Sequence, residues 1–220
     1  GNPDYELLKK YFWFYSFHNE DLLSNTTQLR QHLDFLDEHK KHQAAPFGVF
    51  QIDRQKLRGA TYSSKGRWSR AILSLYASAR PKDWEHIDRD VLAINLFFST
   101  DKPNLHHIFP TNSAYVLSQQ HQNRITSDSL MNIAYLPQIT NLDITNRDPL
   151  NYLTDYDKPG FENIAVPSHL LPLELLLWAR QGQLPANAID LFIEARVDKI
   201  LNALRERLPG IQVSEIDTLA

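Results

Sequence analysis

The sequence of 220 residues contains no cysteine. That excludes disulfides, thiolate metal sites and a cysteine nucleophile together, and it fits a reducing compartment. A metal ion would have to be held by His, Asn, Asp or Glu, a donor set for hard cations or imidazole-friendly ones. There is no GxxxxGK[ST] loop to cradle a nucleotide phosphate and no Gly-x-Ser-x-Gly elbow for acyl transfer. No apolar run approaches the roughly 20 residues that cross a bilayer, and no secretory signal is visible. The expected location is therefore the cytoplasm, away from membranes. A surplus of positive charge is also missing. With 23 Lys and Arg against 26 Asp and Glu the net charge is −3, which argues against gripping nucleic acid by bulk electrostatics but leaves room for a local patch.

What is there reads as an ordinary globular chain, 42% hydrophobic and 22% charged. It opens Gly1-Asn2-Pro3 without a methionine, so a piece of a longer protein is expected. Internal repeats, low-complexity tracts and long Gly/Ser linkers are absent. "YELLKKYFWFYSF" is apolar on nearly every face from Tyr11 to Phe17, which predicts a buried helix. Leu29, Leu33 and Leu36 recur at i, i+4, i+7 and predict an amphipathic helix. Trp68, Ile72, Leu75 and Tyr76 repeat that pattern before Pro81. Near the end, "LLPLELLLWARQG" closes on Gly182, and Ile189, Ile193, Val197, Ile200 and Leu204 share one side of a run that stops at Pro209-Gly210.

The character changes over about residues 100–155, where "LHHIF" and "MNIAYL" look like short strands and "ITNLDITNRDPLNYL" like a helix start and a turn. The expected fold is α+β and mainly helical. Its regions are an N-terminal helical one (1–100), a small mixed one (101–155) and a C-terminal helical one (156–220) packing on the first, all expected to form one compact unit. Nine histidines are present. His106 and His107 stand apart from the others because they are adjacent on a strand-like segment beside Pro110, which cannot continue a ladder. Neighbouring strand side chains point to opposite faces. Both can serve one site only if the strand bends or ends there.

Four segments, "HHIFP", "NIAYL", "ITNLDITNRDP" and "NYL", follow in that order. Over about residues 104–153 this resembles the HNH, or ββα-metal, nucleases, and within them the C-terminal nuclease domain of the GmrSD-type modification-dependent restriction endonucleases. The resemblance implies a helical bundle flanking a ββα-metal motif that hydrolyses phosphodiesters with one divalent ion. His107 would be the general base, for which an ordinary histidine pKa of about 6.5 is suited. His106 and Asn141 would hold the metal. Asn132 would complete the catalytic group by fixing the loop that aims His107. The ion would be Mg²⁺ or Mn²⁺, with Ni²⁺ or Zn²⁺ also open because His106 stands where such families often carry an acid. By the same resemblance the partner is DNA, foreign or modified, and the complete protein carries an upstream nucleotide-hydrolysing domain and serves restriction of phage.

Lesser signals are weighed beside these. Arg147 in "NRDP" occupies the family's basic position, and Lys65, Arg67 and Arg70 could form a DNA-facing patch or a solvated helix face. His121 reads as a solvated loop residue before it reads as a ligand. "DRD" at Asp88–Asp90 reads as surface charge. Because neither metal donor is a carboxylate and the chain is acidic, a non-catalytic nucleic-acid-binding or protein-interaction module on a degenerate ββα scaffold is the alternative.

Overall fold

A computed structural model describes residues 4–18, 26–42, 49–118 and 129–216. The fold is α+β and mainly helical, with two separate two-stranded sheets. Among the described residues no helix is long and apolar enough to cross a membrane. Two compact units share the chain, residues 1–57 with 201–220, and residues 58–200. These lines differ from the three regions expected from sequence. Residues 101–155 lie wholly inside the second unit, together with helices drawn from both flanks.

In the first unit, helix α1 (Tyr5–Phe17) starts at Asp4, whose carboxylate accepts a hydrogen bond from Leu7 N at 3.0 Å. Only Phe14, Tyr15 and Phe17 are buried, while Tyr5, Leu8 and Phe12 are exposed. The expectation of a helix buried on all sides is therefore corrected: α1 buries one face of its C-terminal half. Helix α2 (Thr26–His42) forms as expected, yet Leu29 and Leu33 of its apolar stripe are exposed. Strand β1 (Phe50–Asp53) pairs in parallel with the last strand of the chain, β4 (Val213–Ile216). Phe50 and Ile52 are fully buried there. The buried carboxylate of Asp53 then caps α3 (Arg54–Arg58), accepting from Gln55 N and Lys56 N.

The second unit holds α4 (Arg67–Ser78), α5 (Ile94–Phe97), β2 (Pro103–His107), α6 (Ala114–Ser118), a 3₁₀ turn (Leu130–Asn132) and β3 (Ile133–Pro137). After these come α7 (Gln138–Ile144), α8 (Pro149–Tyr156), a π-helical turn (Phe161–Ala165) running into α9 (Val166–Ser168), and α10 (Leu173–Gln181). The last helix, α11 (Ala188–Arg207), contributes its residues up to Ile200. The periodic positions behave as expected here. Ile72, Leu75 and Tyr76 of α4 are buried, as are Ile189, Ile193, Val197 and Ile200 of α11. Gly182 ends α10 at φ +67°, a conformation glycine adopts without the penalty a Cβ brings. Trp84, Tyr152, Phe109, Phe161 and Phe192 are fully buried around these helices, each contributing about 1.5–3 kcal/mol by leaving water.

Strands β2 and β3 are antiparallel, with His106 opposite Ala134 and His107 opposite Ile133, and β3 passes directly into α7. Prolines occupy both positions of the Pro103–Pro137 pair, so the ladder stops there for want of donors. At the start of α7 neighbouring segments supply what Pro137 lacks. Asp101 Oδ1 accepts from Ile139 N at 2.8 Å, Lys102 O accepts from Gln138 N at 2.9 Å, and the buried Asp83 accepts from Thr140 Oγ1. Arg89 clamps Asp83 and Asp101 together. The helix that carries Asn141 is thus held by side chains some 40 to 60 positions away in sequence.

Candidate active site

On β2 the alternation of side chains turns the ring of His106 into the interior, where it is 2% exposed, and leaves His107 half-buried. The strand ends at His107. Beyond it Ile108 N donates to Asn132 O at 2.8 Å, and the buried carboxamide of Asn132 bridges Phe109 in both directions. Its Oδ1 accepts from Phe109 N and its Nδ2 donates to Phe109 O, each at 2.8 Å. The hydroxyl of Tyr152 adds a bond to Ile108 O at 2.6 Å. Asn132 therefore fixes the backbone immediately after the histidine pair.

A cleft of about 260 Å³ opens beside this strand end. His106, His107 and Asn141 line it, together with Pro110, Thr145 and Asn146. Asn141 reaches it from the middle of α7, and its Oδ1 lies 2.9 Å from His106 Nδ1. Thr145, where α7 ends, has φ +54°, an uncommon and strained conformation for a β-branched residue. Burial pushes the His106 imidazole down to about 4, against the opposing Asn141 hydrogen bond, and the neighbouring His107 adds to the depression. His106 is therefore neutral near pH 7.

The structure thus brings three of the predicted residues, His106, His107 and Asn141, to one cleft wall and sets Asn132 behind it. The predicted basic residues are placed elsewhere. Arg147 Nη1 pairs with Asp155 at 2.6 Å and its Nη2 donates to Asp143 O, so its guanidinium braces the turn between α7 and α8. Arg67 lies over the Trp68 ring at 5.5 Å, and Lys65 is exposed with its carbonyl accepting from Arg70. None of the three lines the cleft. His121 lies outside the described residues. In the "DRD" segment Asp90 is an ion-pair hub, bonding Arg80 and Lys82 at 2.6 Å each.

Sequence reasoning missed the surroundings of His106. Trp84, Tyr152 and His169 are all buried around it, with the Trp84 and Tyr152 rings meeting the imidazole edge-on at 5.6 Å. Arg196, fully buried without a carboxylate, lies over the Tyr76 ring and donates to Ile133 O at 2.7 Å. No spacing in the sequence marks these residues, since each comes from a different segment. Among the described residues no three His, Asp or Glu side chains cluster to hold a metal. The donor pair on the cleft wall is one imidazole and one carboxamide oxygen. No family model, curated protein or solved structure matches this chain.

Proposed function

We propose that the unit of residues 58–200 is a metal-dependent DNA endonuclease of the HNH, ββα-metal kind. The observation that carries this reading is the 2.9 Å approach of His106 Nδ1 to Asn141 Oδ1 on a cleft that His107 also lines. Two antiparallel strands passing straight into a helix produce that approach. The donor set fits a divalent cation: the imidazole is held neutral by burial, and the carboxamide oxygen stands beside it on an open wall. His106 and Asn141 would hold Mg²⁺ or Mn²⁺, with Ni²⁺ or Zn²⁺ accepted by the imidazole. Such an ion supplies Lewis-acid stabilisation of charge on the scissile phosphate and the leaving 3′-oxygen.

The chain's own residues do the rest. His107 accepts the proton of the water that attacks phosphorus, and the P–O bond to the 3′-oxygen breaks as the new P–O bond forms. Asn132 keeps the His107–Phe109 backbone in one conformation, so that the base meets its water without reorganising. On this reading the unit would cut foreign or modified DNA for a restriction system.

The test is nicking of supercoiled plasmid with Mg²⁺ or Mn²⁺. Cleavage that disappears in a folded His107→Ala variant is expected; equal cleavage by that variant removes the proposed base. The absence of any carboxylate from the donor pair favours a second reading, a nucleic-acid-binding module without catalysis. A chain that takes up no metal in a titration and retards DNA without cutting it would establish that reading instead.

A further inference from the structure

Helix α7 ends in a turn built with an unfavourable residue. Arg147 N donates to Ile144 O at 3.2 Å and closes a four-residue turn over Ile144–Arg147. Thr145, its second residue, has φ +54° and ψ −124°, the values of a type II′ turn, where glycine is the ordinary occupant. A Cβ is strained at these angles, and a β-branched side chain more so. The chain does use glycine for a left-handed stop elsewhere, Gly182 at the end of α10. Thr145 is exposed, so burial offsets little of the strain. Such strain persists where the side chain serves a purpose that glycine cannot.

Thr145 and its neighbour Asn146 line the same cleft as His107 and Asn141. The Thr145 hydroxyl donates to Ile144 O, a carbonyl of its own turn, at 2.7 Å. The Asn146 carboxamide is exposed and has no hydrogen-bond partner among the described residues. No lysine or arginine lines the cleft, so an anionic group entering it has to be met by neutral donors. Hydroxyls and carboxamides are common donors to phosphate oxygens. A helix C-terminus would ordinarily repel an anion through its bare carbonyls. Here Arg147 covers two of them, its Nη2 donating to Asp143 O at 3.3 Å and its Nε to Ile144 O at 3.4 Å.

We infer that the Thr145–Asn146 turn is the substrate-holding edge of the cleft. The Thr145 hydroxyl, released from Ile144 O, and the Asn146 carboxamide N–H both donate to oxygens of a DNA phosphodiester. The identity of this substrate rests on the nuclease reading; the strain at Thr145 does not. Both residues hold the substrate and transfer no proton, so they govern affinity and leave the chemical step to His107. Arg147, tied to Asp155 at 2.6 Å, is the positioning residue that keeps the turn in shape. Threonine stands in a glycine position because the hydroxyl is needed there.

The test compares the full chain with Thr145→Gly, Thr145→Ser and Asn146→Ala in thermal melting and in binding of a fluorescent DNA duplex without metal. Thr145→Gly removes the strain and the hydroxyl together. Its melting temperature should rise by a few degrees while its duplex affinity falls about fivefold. A merely structural side chain would not move stability and binding in opposite directions. Thr145→Ser restores the hydroxyl and should recover most of the lost affinity. Asn146→Ala should weaken binding about tenfold, equally for two duplexes of unrelated sequence, as a phosphate contact requires. In Mg²⁺-dependent cleavage these losses should appear in KM rather than kcat. A melting temperature lowered by Thr145→Gly overturns the strain argument. Unchanged affinity in Thr145→Gly, or a Thr145→Ser variant as weak as the glycine one, removes the hydroxyl contact, and unchanged affinity in Asn146→Ala removes the carboxamide. A wild-type chain that binds duplex and never cuts it sinks the nuclease reading, while the contacts stand or fall on the binding data. One that binds no duplex sinks both.

Discussion

The two short sheets of this protein have similar size and opposite character. The parallel pair β1–β4 buries Phe50 and Ile52 and ties its edge with surface ion pairs, Arg54 and Arg205 both reaching Glu215. The antiparallel pair β2–β3 instead takes an imidazole into the interior and surrounds it with Trp84, Tyr152 and His169. The carboxylate that the first pair does bury, Asp53, is satisfied by the backbone at the start of α3. The second pair accepts the desolvation of polar groups, a cost that packing alone gives no reason to bear. That contrast is why the candidate chemistry is assigned to β2, β3 and α7.

The contrast can be broken at several points. Largest is the expected loss with His107→Ala, about 10²–10⁴-fold in plasmid nicking with thermal stability little changed. Next, Asn132→Ala deprives Phe109 N and O of their side-chain partner and should cost about 3 kcal/mol in urea unfolding, with cleavage falling as well. A cost near zero would show that the loop after the histidines is held by other means.

Acid should act on the same region. The folded-state values of His106 and His169, about 4 and about 3, lie below the ordinary 6.5. The unfolded chain therefore takes up protons that the folded one refuses. Stability is complete above about pH 6.5 and falls on acidification through the window down to about 4 and 3. Each histidine contributes a slope of about 1.4 kcal/mol per pH unit. Folded His169→Phe should show a shallower decline between pH 6 and pH 4, roughly half as steep; an identical slope would remove His169 from the account. Smallest is Glu215→Ala at the other sheet, where part-exposed ion pairs are worth about 0.5 kcal/mol and the loss should fade in high salt.

Much of the frame was readable before folding was considered. The stripes of α4 and α11, the Gly182 stop of α10 and the two strand-like pieces of 103–107 and 133–137 follow local rules, and the structure has them. The order His-His, Asn, Asn was readable too, and the structure joins His106 to Asn141. Other readings failed for a common reason. The apolar run of α1 and the leucines of α2 promised burial, but periodicity names a face and says nothing of what covers it. The pairing of β1 with β4 joins Phe50 to Val213 across most of the chain, and no local pattern reports a partner that distant.

By itself, then, the sequence determined which segments become helices and strands and which residue types are available for chemistry, since backbone preference and side-chain identity are local properties. Only the tertiary structure decided which nitrogen of His106 meets Asn141 and which is buried, and that Arg147 pairs with Asp155. It also decided that Asp83 and Asp101 hold the helix of Asn141. Those outcomes depend on desolvation and on hydrogen-bond partners from remote segments, and neither exists until the chain has closed around them.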